Sequence, residues 1–149
     1  MAYIDQNLMT GERIIYRAKL HWIVFLFPSV FLFVALVVFL NGYVSAGVFF
    51  LLIAVLTVSS SLITFYTSEF GVTNKRVLIK VGLIRRNSIE MLLRKVEGIA
   101  VNQDIPGRIL GYGTIIITGT GGSKEEFQKI DAPFEFRKKV QEQIEAVQE

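Results

Sequence analysis

The sequence predicts a helical hairpin of membrane-spanning length joined to a mainly β domain, a seven-stranded antiparallel barrel with a C-terminal helix. Three observations predict it. From Trp22 to Tyr66 there is no Asp, Glu, Lys, Arg or His. Beyond Tyr66 the chain changes to short segments of alternating apolar and polar residues separated by Gly, Asn, Asp and Pro. From Pro133 onward the apolar residues recur at helical spacing.

The uncharged run has one turn signal near its middle, Asn41-Gly42. At 1.5 Å per residue, 22–40 spans about 28 Å and 46–66 about 31 Å, each close to a hydrocarbon core of roughly 30 Å. A secretory signal is shorter and ends at a small-residue cleavage site, whereas here a second apolar segment follows at once. A buried hairpin of a soluble protein would carry charge along its edges. Arg13, Arg17 and Lys19 precede the first span, Lys75, Arg76 and Lys80 follow the second, and 41–45 has no basic residue. The positive-inside rule then places both termini in the cytoplasm, and a multi-pass protein of the cytoplasmic (inner) membrane is expected. Trp22, Tyr43 and Tyr66 stand where interfacial aromatics are expected, with His21 beside them. Pro28 is a candidate kink in the first span.

The second span has a stripe of small or hydroxylic residues, Ala54, Thr57, Ser61 and Thr64. Small residues let helices approach closely in lipid, so the stripe either packs on the first helix or forms an oligomer seam.

The mainly β region reads as strand after strand. Phe70 and Val72 alternate with Glu69 and Gly71, and Val77, Ile79 and Val81 with Arg76, Leu78 and Lys80, with a turn at Thr73-Asn74-Lys75 in which Asn74 can take positive φ. Ile89, Met91 and Leu93 mark a third strand, Ile99 and Val101 a fourth. Gln103 to Gly107 breaks the pattern, and Arg108-Ile109-Leu110 reads as one helical turn. Thr114 to Thr118 is the most apolar strand, and Gly119 to Gly122 turns it into a partner, 124–130, with Phe127 inward. Asp131 is the expected N-cap of a helix over 133–148 with Pro133 in its first turn, and Phe136, Val140, Ile144 and Val147 form its apolar stripe. The last strand comes from the N-terminal segment 1–20, where Ile14, Tyr16 and Ala18 alternate with Arg13, Arg17 and Lys19. The hairpin, 21–66, is then an insertion after the first strand of one domain completed by 67–149, and barrel closure would remove exposed edges.

Three stretches resemble the bacterial pleckstrin-homology-like (PH-like) membrane proteins of the YdbS type: Gly11 to Lys19, Phe70 to Val77 with its Thr73-Asn74-Lys75-Arg76, and Gly107 to Thr114. The likeness extends from about Gly11 to Ile144. It implies a PH-like fold in the cytoplasm and no enzyme activity. It brings no ligand site, because phosphoinositide-binding PH domains use basic residues in the connection between their first two strands, and here the hairpin occupies that connection.

Composition narrows the chemistry. Of the 149 residues 52% are hydrophobic, with no Cys and one His, which removes disulfides and the usual zinc ligand sets. Residues 67–149 hold 13 Lys plus Arg against 11 Asp plus Glu, too balanced for a nucleic-acid partner. The Gly119 to Lys124 stretch does not fit a phosphate-binding loop, and Gly111-Tyr112-Gly113 lacks a third glycine. No ionisable group lies in the spans, so no enzyme, cofactor or small-molecule substrate is expected. Lys75, Arg76, Arg85, Arg86, Arg94, Lys95 and Arg108 either touch acidic headgroups or form a solvated surface. Leu78, Leu92 and Ile116, outward on their strands, are the expected partner face. Two functions compete: a binding or scaffolding module for itself or a membrane-protein partner, and a lipid-sensing accessory component of a transport or envelope-stress system with membrane lipids as its partner.

Overall fold

The computed structural model describes residues 3–82 and 87–148. A short helix α1 (Tyr3–Gln6) precedes strand β1 (Ile14–Ala18), and the chain then enters a 3-10 turn, Trp22–Phe25, and helix α2 (Leu26–Leu40). His21 caps that turn, its Nδ1 accepting from the Ile23 N–H at 3.2 Å. Pro28 lies buried in the first turn of α2, where no intrahelical partner awaits its missing N–H. Gly42, with φ +83, supports the reversal into α3 (Val44–Thr67).

The two helices pack closely because small residues meet. Ala35 and Ala54 are buried, and the Phe39 ring lies against Gly47 so closely that a Cβ there would fall 2.8 Å from it. The Ser61 hydroxyl donates to the Val24 carbonyl at 3.3 Å, across the hairpin. Thr57 and Thr64 return their hydroxyls to their own helix. Segments 22–40 and 44–67 are long and apolar enough to cross a membrane, and only 22% and 6% of their most apolar windows are buried. A core helix of a soluble protein would be mostly covered.

Strands β2 (Glu69–Thr73), β3 (Arg76–Val81) and β4 (Asn87–Leu92) follow, then β5 (Val96–Asn102), α4 (Ile105–Leu110), β6 (Tyr112–Gly119), β7 (Lys124–Asp131) and α5 (Pro133–Gln148). They form two antiparallel sheets, β1-β2-β3-β4 and β5-β6-β7. The inward faces share one core of Phe70, Val72, Val77, Ile79, Ile115, Ile117, Phe127 and Ile130, closed at one end by Phe136 and Val140 of α5. An inward Phe127 and an inward Ile130 are three residues apart. β7 accommodates them with a bulge at Gln128-Lys129, where Lys129 takes φ +59.

The expected closed barrel does not form. Among the described residues the segment after β1 meets β7 only through the bridge between Leu20 and Ile130, because the chain leaves the sheet there to enter the hairpin. No ladder joins β4 to β5 among the described residues. Two local expectations also change. Asn74 keeps negative φ, because the Thr73 hydroxyl holds the turn by accepting from the N–H groups of Lys75 and Arg76. Asp131 ends β7, and Ala132, with φ +46, supplies the carbonyl that starts α5.

Candidate binding surfaces

β2 leaves α3 and runs away from the hairpin, so the β2–β3 turn marks the far end of the domain, about 13 Å along the strand. At that end lies a buried polar knot. Arg76 donates through Nε to Glu12 Oε1 at 2.9 Å and through Nη2 to Glu12 Oε2 at 3.0 Å. Its other bonds reach the Glu90 carboxylate and the Asn7 carbonyl. The Glu12 carboxylate also accepts from the Thr73 hydroxyl at 2.7 Å and from the Met9 N–H at 2.7 Å. Burial pushes the Glu12 pKa up, but the bonds from Arg76, Met9 and Thr73 outweigh it and hold the carboxyl below the usual glutamate value. The hydrogen bond to Glu12 raises the Arg76 pKa against the desolvation that opposes it. These charges are spent on one another.

Arg76 therefore offers nothing to a headgroup, which corrects its assignment from sequence. Lys75, whose ammonium donates to the Thr10 carbonyl, and the exposed Arg94 and Lys95 also stand at the far end, since Leu92, the last residue of β4, pairs with Arg76. Arg108 is exposed on α4. Arg85 and Arg86 lie outside the described residues. The basic residues that are described do not make one rim beside the hairpin.

The expected partner face is also divided. Leu78 is 1% exposed, because Gly71, its cross-strand neighbour, leaves room on the outer face for Ile4 of α1. A Cβ on Gly71 would fall 2.7 Å from Ile4 Cδ1. Leu92 is exposed on the first sheet, and Ile116 is half-buried on the second. The sequence showed no sign of Ile4, whose short segment has no period to read.

A different apolar surface appears at the α4 corner. Asp104 caps α4 by accepting from the Gly107 N–H at 2.8 Å, and Gly111 ends it with φ +84. That geometry turns Ile105 and Ile109 outward, 76% and 79% exposed. Leu110 and Phe134 are exposed too, and Phe134 stands at the same corner because the Ala132 N–H donates to the Gly111 carbonyl at 3.1 Å. The corner is tied to the hairpin entrance: Tyr112 lies on His21 with ring centroids 5.3 Å apart, and His21 lies on Trp22 at 5.1 Å.

A cavity of about 480 Å3 lies between β7 and the first turns of the hairpin. Phe70, Val81, Ile89 and Phe127 give it an apolar floor. Across from them stand Phe27 and Pro28 of α2 and hydroxyls of α3, Thr64 among them. Among the described residues no group of three or more His, Asp or Glu is placed to hold a metal ion.

Two sheets with a C-terminal helix across one end and a core shared between them define a PH-like domain carrying an inserted helical hairpin. The chain belongs to the bacterial PH domain family, whose pattern it matches over residues 25–147. It is similar to a DUF1696 family protein with a pleckstrin-homology domain from Shewanella loihica PV-4, at 14% identity over 52% of this chain and 71% of that one, with a TM-score of 0.39. No curated protein matches it.

Proposed function

We propose that this is a non-enzymatic integral membrane protein whose PH-like domain works as a binding or scaffolding module, held at the inner face of the cytoplasmic membrane by its hairpin. Arg13, Arg17 and Lys19 before the hairpin and Lys75, Arg76 and Lys80 after it support cytoplasmic termini. The partner is a second copy of the chain or a neighbouring membrane protein. The α4 corner carries this reading: Ile105, Ile109, Leu110 and Phe134 form an exposed apolar cluster, whereas the outward Leu78 is buried and Leu92 stands exposed by itself on its strand. The alternative, a lipid-sensing component of a transport or envelope-stress system that reads acidic lipid through a basic rim, gains little from Lys75, Arg94 and Lys95 at the far end.

Ile105→Asp with Ile109→Asp in the full chain tests the docking reading. Native mass spectrometry directly from membranes should show a complex for the unaltered protein and a lone chain for the variant. Surface changes of this kind shift stability by only about 0.5 kcal/mol, so the domain itself should stay folded. A folded variant that keeps its partner would sink the proposal.

A further inference from the structure

We propose that the opening between β7 and the hairpin is a lipid site that takes one phospholipid with a protonated amine headgroup from the surrounding bilayer. The inference rests on the hairpin being membrane-embedded and does not depend on the α4 corner.

The opening is a consequence of the insertion. Past the end of β1 the chain meets β7 at the isolated bridge of Leu20 with Ile130 and then turns into the hairpin. From Lys124 to Gln128 the outer edge of β7 has no strand partner among the described residues. The gap that closure would have filled is instead faced by α2 and α3, so the apolar floor formed by Phe70, Val81, Ile89 and Phe127 continues onto helices of membrane-spanning length. At about 480 Å3 it has the size of a small-molecule site. An apolar cavity continuous with a hydrocarbon phase favours an acyl chain over water.

Charge at the mouth selects the headgroup. Glu125 pairs with Ile117, whose side chain is 2% exposed in the core, so Glu125 stands on the inward side of β7, half-buried. It forms no hydrogen bond or ion pair among the described residues. Glu126, opposite Ile116 on the outward side of β7, accepts from the Gln128 amide at 3.4 Å at the rim, and Lys129, fixed by the bulge, stands at the other end of the same wall. A cationic amine is attracted by the Glu125 carboxylate, a phosphate is within the province of Lys129, and a purely anionic headgroup is repelled by that carboxylate. Hydroxyls of Ser60 and Thr64 on the opposite wall offer acceptors to the same amine.

The test uses the full chain in nanodiscs of equal phosphatidylethanolamine and phosphatidylglycerol, with native mass spectrometry of the lipid kept after release. One phosphatidylethanolamine per chain should be retained, roughly tenfold over phosphatidylglycerol, and Glu125→Gln should bring the two close to parity. Val81→Trp, which fills the floor, should expel both. Equal retention of the two lipids by the unaltered chain, or an undiminished amine preference in Glu125→Gln, would overturn the site and leave the membrane reading intact. Failure of the chain to enter the disc at all would overturn both.

Discussion

The two ends of the PH-like domain treat charge in opposite ways. At the far end Glu12 and Arg76 are almost wholly withdrawn from water and bond to each other and to Thr73, Met9, Glu90 and Asn7. At the hairpin end Glu125 is half-buried beside an apolar cavity and has no partner among the described residues. A buried charge is tolerated when its hydrogen-bonding capacity is met, and such a charge is structural. One left open beside a cavity has its capacity available to something else. The contrast separates Arg76, which looked in the sequence like a surface cation, from Glu125, which the sequence did not single out.

The sharpest way to break the contrast is to remove Arg76. Arg76→Ala leaves the Glu12 carboxylate buried without its cation and should destabilise the domain by about 3–5 kcal/mol, measured by chemical or thermal unfolding. The paired replacement of Glu12 and Arg76 by apolar residues of similar volume should recover most of that loss, since both charges then disappear together. A loss below about 1 kcal/mol for Arg76→Ala would place the knot among surface ion pairs. Next in size is Ile4→Ala, which uncovers Gly71 and Leu78 and should cost about 2 kcal/mol. The same change should speed amide exchange in β2 and β3 relative to β6, and equal rates would show that α1 is not a lid.

Much of the fold was legible because burial imposes a period. β6 buries alternate residues, Ile115 with Ile117, and that alternation is written in the residue types. The hairpin was legible from the absence of charge. Closure was misjudged because it depends on how far the chain after β1 follows β7, a contact between residues 20 and 130 that no local pattern carries. The Glu12–Arg76 pair has the same character, 64 residues apart in sequence. Ile4 was hidden for another reason: a four-residue helix is too short to display a stripe. The exposed α4 corner was read as a turn, and its outward Ile105 and Ile109 become visible only once Asp104 and Gly111 fix the ends of the helix.

The mildest probe of the contrast is acid. The folded Glu12 carboxyl titrates below its ordinary value of 4.5, held there chiefly by the hydrogen bonds that overcome its desolvation. The unfolded chain therefore binds this proton at higher pH than the folded one, and stability rises with pH across the interval between the two values. The contribution is fully present above about pH 4.5 and is lost as pH falls through the lower, folded value. Unfolding followed from pH 7 down to 3 should show a decline confined to the acid end, and Glu12→Gln should flatten that decline. An undiminished decline in Glu12→Gln would place the acid-sensitive group outside the Glu12–Arg76 knot and sink the structural role assigned to the far end.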